Sequence, residues 1–254
     1  EQKQPSGAVP AMSANYHTHT WRCRHAAGSE REYVERAIAG GLAVLGFSDH
    51  TPYPLAPGYV SDFRMGISEL GDYVRTVEDL RREYAGEIEI RLGLEAEYYP
   101  RHFEALLRLL EGWPIEYLLL GQHYLGEEQG AAYSGALTTD PGILRGYCRQ
   151  VTEGMATGRY SCLAHPDLIN FHGDEALYER EMRGLCRAAN ARALPLEINF
   201  LGIRQKRNYP DARFWRLAGE EGCAVVFGCD AHEPDAAADP AAEAEAAALA
   251  RRFH

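Results

Sequence analysis

Short apolar runs alternate with longer amphipathic stretches along most of the chain. Short apolar runs bounded by turn residues predict buried strands, and periodic apolar positions over ten or more residues predict helices. The pattern therefore predicts seven strands and seven helices in alternation. The predicted strands are 13–20, 42–48, 88–95, 115–121, 160–165, 194–200 and 223–230. The predicted helices cover about 29–40, 68–85, 101–111, 141–157, 174–192, 211–221 and the segment from 239 to the C-terminus.

Two of the predicted helices carry clear start signals. Ser29 followed by Glu32 is a capping box, and Asp140-Pro141 supplies an N-cap and a first-turn proline. Strands that alternate with helices pair in parallel through βαβ units, so an α/β fold is expected. Seven units in one chain favour a single closed or nearly closed (β/α)7 barrel. A doubly wound open sheet is the alternative, but no GxGxxG or P-loop pattern follows the first strand.

The chain is predicted to form one domain. Residues 1–12 lack the apolar core of a signal peptide and are interpreted as a flexible tail, and residues 13–254 as the barrel. No apolar run is long enough for a transmembrane helix. The six cysteines form no CxxC pair, which favours free thiols in a reducing cytoplasm. The oligomeric state stays open.

The charge balance excludes some classes of partner. The chain has 26 Lys+Arg against 37 Asp+Glu, a net charge of −11. Nucleic acids and anionic membranes both require basic surfaces, so neither is an expected partner. The same chain contains ten histidines. An acidic protein rich in histidine is suited to hold cations, and the placement of these residues becomes informative.

Polar residues follow every predicted strand. Parallel barrels place their chemistry at the C-terminal ends of the strands, where these residues would meet. His17 and His19 are two residues apart, so in a strand they share a face, and Asp230 and His232 repeat that spacing. Clusters of histidine and carboxylate are typical of metal sites, and this number predicts more than one ion. His102, His172 and His254 are interpreted as ordinary polar residues instead.

The motifs at these strand ends resemble those of the PHP family, named for polymerase and histidinol phosphatase. They are H-T-H-T…H (17–25), S-D-H (48–50), G-L-E (93–95), G-Q-H (121–123), A-H-P-D (164–167) and C-D-A-H (229–232). The resemblance runs from about residue 14 to 235. Within the family, the segments YHTHTWRCRHAAG, LGFSDHTPYP, FRM and GLEAEYYP are similar to the monofunctional histidinol-phosphate phosphatases. The family fold is a distorted (β/α)7 barrel, which agrees with the strand count.

The resemblance implies three divalent metal ions, with Zn, Fe and Mn all possible. It places His17, His19, Glu95 and Asp230 on the first ion. Glu95 would bridge to a second ion, held also by His123 and His165, and His25, His50 and His232 would hold the third. A water bridging two ions would attack phosphorus as hydroxide. Asp230, His232 and Glu95 are the predicted catalytic residues because they lie nearest the ions.

Substrate-binding residues are predicted from residue type and loop position. Arginine presents a planar fork that suits phosphate. Arg64 and Arg204 are expected first, because they lie in strand-to-helix loops on the metal side, followed by Arg24 and Arg207. For a substrate amine and imidazole, acidic or aromatic partners are needed. Asp49, Glu97 and Tyr98 are the candidates.

The sequence thus predicts a metal-dependent phosphomonoesterase acting on a small phosphate ester. The resemblance implies L-histidinol phosphate, an intermediate of histidine biosynthesis, as the substrate. A nucleotide, a sugar phosphate or phosphotyrosine is the alternative. A polymerase proofreading module is disfavoured because the chain is acidic and contains no polymerase domain. A non-catalytic metal-binding protein is disfavoured because the ligand set is complete.

Overall fold

The computed structural model describes residues 11–253. Most of the predicted tail and His254 lie outside the described residues. Seven parallel strands form one sheet whose spatial order equals the chain order, and the predicted α/β fold is confirmed. The strands are β1 (Ala14–Asn15), β2 (Val44–Phe47), β3 (Glu89–Ala96), β4 (Tyr117–Leu120), β5 (Cys162–Leu163), β6 (Leu196–Asn199) and β7 (Val225–Gly228).

The sheet curls into a nearly closed barrel. Beyond β7, the backbone N–H of Ala231 donates to the carbonyl of His17 over 3.2 Å. The N–H of His19 donates to the carbonyl of Ala231 over 2.9 Å. These bonds join the last strand to the first at the C-terminal end only. The closure therefore lies at the edge where the sequence places its polar residues.

Helices connect and cover the strands. They are α1 (Glu30–Ala39), α2 (Leu70–Glu83), α3 (Phe103–Leu110), α4 (Pro141–Ala156), α5 (Glu175–Asn190), α6 (Phe200–Arg204), α7 (Ala212–Glu220) and α8 (Pro240–Phe253). Short 3-10 turns occupy Trp21–Cys23, Ile67–Glu69 and Pro234–Ala237. The capping box of Ser29 and Glu32 opens α1, and the Asp140 side chain accepts from the N–H of Gly142 at the start of α4.

Two predicted strands are much shorter than expected. The segment 13–20 contains only β1, because the Asn15 side chain takes over the hydrogen bonding there. Its Oδ1 accepts from the N–H of His17 over 3.0 Å and from the N–H of Cys229 over 3.1 Å. The segment 160–165 contains only β5, and His165 ends it with a positive φ of 29°. Side-chain bonds and a backbone turn thus replace ladder bonds near the site.

Helix α6 was not predicted. It begins directly where β6 ends, because the Asn199 side chain accepts from the N–H of Gly202 over 3.2 Å and caps it. Five residues are too few for a periodic pattern to stand out from a strand. The helix carries the chain across the C-terminal mouth of the barrel, so it changes the composition of the site.

The main apolar core lies between the strands and the helices, and the barrel interior holds a separate small cluster. That inner cluster consists of Leu119, Cys162 and Ala164, with Tyr117 packed against it. Gly93 pairs in register with Tyr117 on the neighbouring strand. A Cβ at Gly93 would overlap the Tyr117 ring, so glycine is what allows this ring to cross the interior. The Tyr117 ring thus occupies part of the barrel interior beneath the polar residues of the mouth.

All six cysteines are buried free thiols. Among residues 11–253, none of the helices combines the length and the apolar character needed to cross a membrane.

Candidate active site

Seven histidines and two carboxylates converge at the C-terminal mouth of the barrel. Glu95 lies among them: its Oε1 is 2.9 Å from His165 Nε2, and its Oε2 is 3.4 Å from His17 Nε2. Asp230 Oδ1 lies 3.1 Å from His19 Nε2 and 3.4 Å from His17 Nε2. The structure thus brings together all nine residues of the predicted ligand set. They are His17, His19, His25, His50, Glu95, His123, His165, Asp230 and His232.

The polar atoms of this cluster are buried without partners. Among residues 11–253, ten buried side-chain N or O atoms have no hydrogen-bond partner, and seven of the ten belong to predicted ligands. Leaving such atoms unpaired costs about 1–3 kcal/mol each. Several sets of three ligand atoms lie within 4.8 Å of one another, among them those of His17, His19 and Glu95. The donor set and its unpaired atoms fit divalent metal ions.

Burial and neighbouring charges shift the pKa values of the ionisable groups in the cluster. Burial alone would lower the pKa of His19, but the nearby carboxylates of Asp230 and Asp49 raise this pKa to about 9. Burial would raise the pKa of Glu95, but the neighbouring His123 and His17 hold it well below its usual value. Burial and the nearby His19 lower the pKa of His50 well below 6.5. Carboxylates are therefore ionised in the site and ready to bind cations.

Two ligand candidates have unusual backbone conformations. His165 (φ 29°) and Asp230 (φ 46°) both lie in the left-handed region at the ends of strands. Non-glycine residues with positive φ are strained and cluster at functional sites. The strain turns each side chain toward the mouth of the barrel directly after β5 and β7.

Three of the four predicted arginines form ion pairs with carboxylates outside the histidine cluster. Arg24 pairs with Glu69 on the surface, and its Nη2 lies 2.6 Å from Oε2. Arg64 is 3% exposed, and its Nε, Nη1 and Nη2 atoms donate to Glu128, Glu97 and the carbonyl of Thr51. The structure therefore does not bring Arg64, which is expected first for phosphate, to the cavity over the histidines.

Arg204 also serves the fold. Its Nη2 donates to the carbonyls of Cys229 and Asp230 over 2.8 and 3.1 Å, and its Nη1 lies 3.3 Å from Asp239 Oδ2. It therefore holds the end of β7, where Asp230 leaves the strand. Arg204, which is also expected first for phosphate, does not line the cavity either, because its donors face the backbone and Asp239.

Arg207 differs from the other three. Its side chain is exposed and lines the cavity above the histidines. It donates to Gln205 Oε1 over 2.9 Å and to the Tyr209 hydroxyl over 3.2 Å. Within residues 11–253 it pairs with no carboxylate, in contrast to Arg24, Arg64 and Arg204. Of the four predicted arginines, it is the one free to meet an anion.

The three residues predicted for a substrate amine and imidazole have other partners. Asp49 and Glu97 are buried, and each lies against the Nδ1 atom of a cluster histidine. Tyr98 packs against Phe103 at a centroid distance of 5.1 Å and does not line the cavity. The short strand ends direct these two carboxylates toward the histidines. The alternation of residues along a strand does not distinguish a carboxylate that contacts a histidine from one that contacts the substrate.

The cavity over the cluster holds about 290 Å3. The cluster forms its floor, and four aromatic residues and one carboxylate, Asp62, form part of its wall. The aromatic residues are Phe63, Tyr124, Tyr133 and Tyr209. Sequence reasoning missed all five because they come from loops, where no periodic pattern marks which side chain faces inward. The helix α6 contributes Leu201 to the same wall.

One further buried carboxylate lies at a strand end beside the cluster. Glu197 projects from β6, and its Oε2 lies 2.7 Å from His17 Nδ1. A charged residue within the apolar strand LPLEINF is the signal that could have found it. Cys23 and Cys229, which lie close to predicted ligands in the sequence, are both buried, and burial raises the pKa of each thiol.

The PHP domain model matches residues 15–200. The "Probable histidinol-phosphatase" of Deinococcus radiodurans is 31% identical over 86% of this chain and 85% of its own length. The histidinol-phosphatase of Bacillus subtilis is 24% identical over 85% of this chain and 92% of its own. Both relatives are therefore covered over most of their length.

A solved structure has a similar fold. The crystal structure of histidinol phosphate phosphatase from Lactococcus lactis, complexed with zinc, L-histidinol and phosphate, superposes with a TM-score of 0.74. It is 21% identical and covers 95% of this chain and 94% of its own. The TIM-like barrel is thus shared over 95% of this chain.

Proposed function

The chain belongs to the PHP domain family, and we propose that it is a metal-dependent phosphomonoesterase hydrolysing L-histidinol phosphate to L-histidinol and phosphate. One observation carries the proposal. A cluster of seven histidines and two carboxylates, with unpaired buried atoms, forms the floor of a cavity that is also lined by Arg207. The 31% identity to a relative named as a histidinol-phosphatase supports this substrate.

The cluster is the proposed metal site. The ligands are the nine residues named above, and Glu95 is the one whose two oxygens face different histidines, as a bridging carboxylate requires. Divalent ions bound there would neutralise phosphate charge and allow water to act as a nucleophile near neutral pH. Asp230, whose Oδ1 lies between His17 and His19, holds negative charge at the same point.

Arg207 is the proposed phosphate ligand. Its guanidinium lines the cavity opposite the histidines and can form two parallel hydrogen bonds to phosphate oxygens. Burial raises the pKa of the neighbouring Tyr209 hydroxyl, so this group stays protonated and can donate a further bond. Both residues would orient the phosphorus atom over the ligand cluster.

The wall of the cavity suits an aromatic, cationic leaving group. Phe63 and Tyr124 lie with ring centroids 5.6 Å apart and give a surface for an imidazole ring. Asp62 lies on the same side and offers a carboxylate for a protonated amine. These residues replace Asp49, Glu97 and Tyr98 in the proposed recognition of the substrate.

The cellular setting is also part of the proposal. Free buried cysteines are typical of a reducing compartment, so we place the enzyme in the cytoplasm. The net charge of −11 supports small substrates over nucleic acids and membranes. Another small phosphate ester remains the alternative substrate.

The test is phosphate release by the purified protein with Zn, Mn or Fe. L-histidinol phosphate is compared with nucleotides, sugar phosphates and phosphotyrosine. We expect the largest kcat/KM for L-histidinol phosphate. A rate no greater than the mean of the panel would reject this substrate, and no phosphate release from any ester would reject the enzyme class.

Arg207→Ala tests the phosphate ligand. Loss of a charged hydrogen bond costs about 1.5–3 kcal/mol, so kcat/KM should fall about 10- to 100-fold. Arg24→Ala is the matched control, since Arg24 pairs with Glu69 on the surface and its loss should leave kcat/KM unchanged. Equal kcat/KM for the two variants would remove Arg207 from the site.

A further inference from the structure

Three cluster histidines have a buried carboxylate behind the ring. In each pair the Nδ1 atom faces the carboxylate, which leaves Nε2 directed toward the cluster. The pairs are His17 with Glu197 (2.7 Å), His123 with Glu97 (2.7 Å) and His19 with Asp49 (3.3 Å). All three carboxylates are at most 2% exposed. We refer to these three as the carboxylate-backed histidines.

Two other cluster histidines have only a backbone carbonyl behind the ring. His25 Nδ1 lies 2.8 Å from the carbonyl of Cys23, and His232 Nδ1 lies 3.1 Å from the carbonyl of Asp230. We refer to these two as the carbonyl-backed histidines. His25 is exposed and lies at the outer side of the cluster, whereas the His232 side chain is 15% exposed, the same fraction as His123.

The carboxylates are themselves fixed in place. Glu197 Oε1 accepts from Asn199 Nδ2 over 2.7 Å and from the N–H of His165 over 3.3 Å. A Cβ at Gly228 would overlap Glu197 Oε2, so glycine there leaves the space that this carboxylate occupies. Glu197 is therefore held in one position by three neighbours and by the barrel wall.

The other two carboxylates are equally constrained. Glu97 Oε2 accepts from Arg64 Nη2 over 2.9 Å, which explains why this arginine is buried. Asp49 accepts from the N–H of His50 over 2.8 Å and from the Thr20 hydroxyl. Each of the three carboxylates is thus held behind its histidine by hydrogen bonds from other residues.

A carboxylate behind a ligating histidine raises the basicity of its other ring nitrogen, and its removal weakens metal binding about 10- to 100-fold. A carbonyl orients the ring but adds no charge. Two of the implied ions have carboxylate-backed histidines together with Glu95. The third has His25 and His232, with His50 as its remaining ligand.

We propose that Asp49, Glu97 and Glu197 are positioning residues that divide the cluster into a retained part and an exchangeable part. The ions at His17, His19 and His123 are held tightly. The ion at His25, His50 and His232 binds last and leaves first. This inference rests on the ligand set of the proposed function and is independent of the substrate.

The experiment measures metal retention by the full chain. Protein loaded with zinc is challenged with a chelator, and bound metal per chain is measured by elemental analysis at successive times. We expect loss in two phases, in which one equivalent leaves fast and the remainder slowly. A single phase for all bound metal would overturn the inference, and no bound metal at all would instead overturn the proposed metal site.

Glu197→Gln tests the role of the carboxylate. Glutamine keeps the shape and an acceptor for His17 but removes the charge, so the slow phase should accelerate about 10- to 100-fold while the fast phase is unchanged. Asp167→Asn is the matched control, because Asp167 is equally buried but accepts from Trp215 and Asp211. Equal acceleration in both variants would mean a general structural effect and would reject the assignment.

His25→Ala supplies a second, independent readout. It should remove the fast equivalent and leave the slow phase intact. Cobalt can replace zinc, and its visible absorption then reports the ligand environment of the retained ions. Loss of the slow phase in His25→Ala would contradict the division, and thermal unfolding of each variant checks that the fold persists.

Discussion

The C-terminal mouth of the barrel buries polar atoms that lack partners, whereas at the opposite end the Tyr117 hydroxyl is fully paired. At the mouth, the Nε2 atoms of His17 and His19 have no hydrogen-bond partner. At the opposite end, the Tyr117 hydroxyl lies 2.8 and 3.0 Å from the carbonyls of Tyr16 and Phe47. The paired hydroxyl contributes stability, and the mouth holds unpaired polar atoms that a ligand can satisfy.

The largest effect is expected at the mouth. Asp230→Asn removes a ligand charge, so kcat/KM should fall about 100-fold or more, as when a transition-state contact is lost. Metal-free protein should unfold at a lower temperature than the wild type, because the protonated His17 and His19 lose the carboxylate that neutralises them. Turnover like that of the wild type would reject the metal site, and His17→Ala provides an independent check.

Metal removal should change how the free energy of unfolding depends on pH, because the histidines of the mouth then titrate. The folded pKa of His19 is about 9, above its unfolded value of 6.5. Its stabilising contribution is therefore fully present below pH 6.5 and is lost as pH rises through 9. His19 alone should cost the metal-free protein on the order of 3 kcal/mol over this range, since one pKa unit corresponds to about 1.4 kcal/mol. The raised pKa values of His17 and His123 act in the same direction.

Metal-loaded protein should show the opposite trend, because metal binding displaces protons from histidine and strengthens as pH rises. Urea unfolding between pH 6.5 and 9, with and without chelator, measures both trends. His50 has a pKa well below 6.5, so it stays neutral across this window and does not alter the sign. Parallel pH dependence of the two forms would contradict the cluster as metal site.

A smaller effect is expected at the opposite end. Tyr117→Phe removes one hydroxyl and its bonds to Tyr16 and Phe47. The free energy of unfolding should fall by about 1 kcal/mol, the usual net value of a hydrogen bond. The kcat per metal-loaded molecule should stay unchanged. A loss of activity without loss of stability would show that the two ends are coupled.

Most of the fold could be predicted from apolar periodicity. The seven strands and seven of the eight helices lie where the pattern placed them, because burial of one face enforces that pattern. The strand lengths could not be predicted. Asn15 ends β1 through side-chain bonds to distant residues such as Cys229, and no local pattern records a bond of that kind.

The candidate site also has a part that the sequence predicts and a part that it does not. Its nine predicted ligands lie at or near strand ends, and parallel strands bring their ends together whatever the loops do. Arg64 and Arg207 could not be ranked from the sequence. Both lie in loops, and the difference between them depends on Glu97 and Glu128, which come from other segments of the chain and pair with Arg64 but not with Arg207.

The sequence by itself determined the alternation of strands and helices and placed the histidines and carboxylates at one edge of the barrel. Both follow from local periodicity and from parallel pairing. The tertiary structure alone decided the partner of each polar side chain. Glu197, Glu97 and Asp49 lie behind histidines, and Arg207 faces the cavity, because ion pairs and hydrogen bonds form between segments distant in the chain.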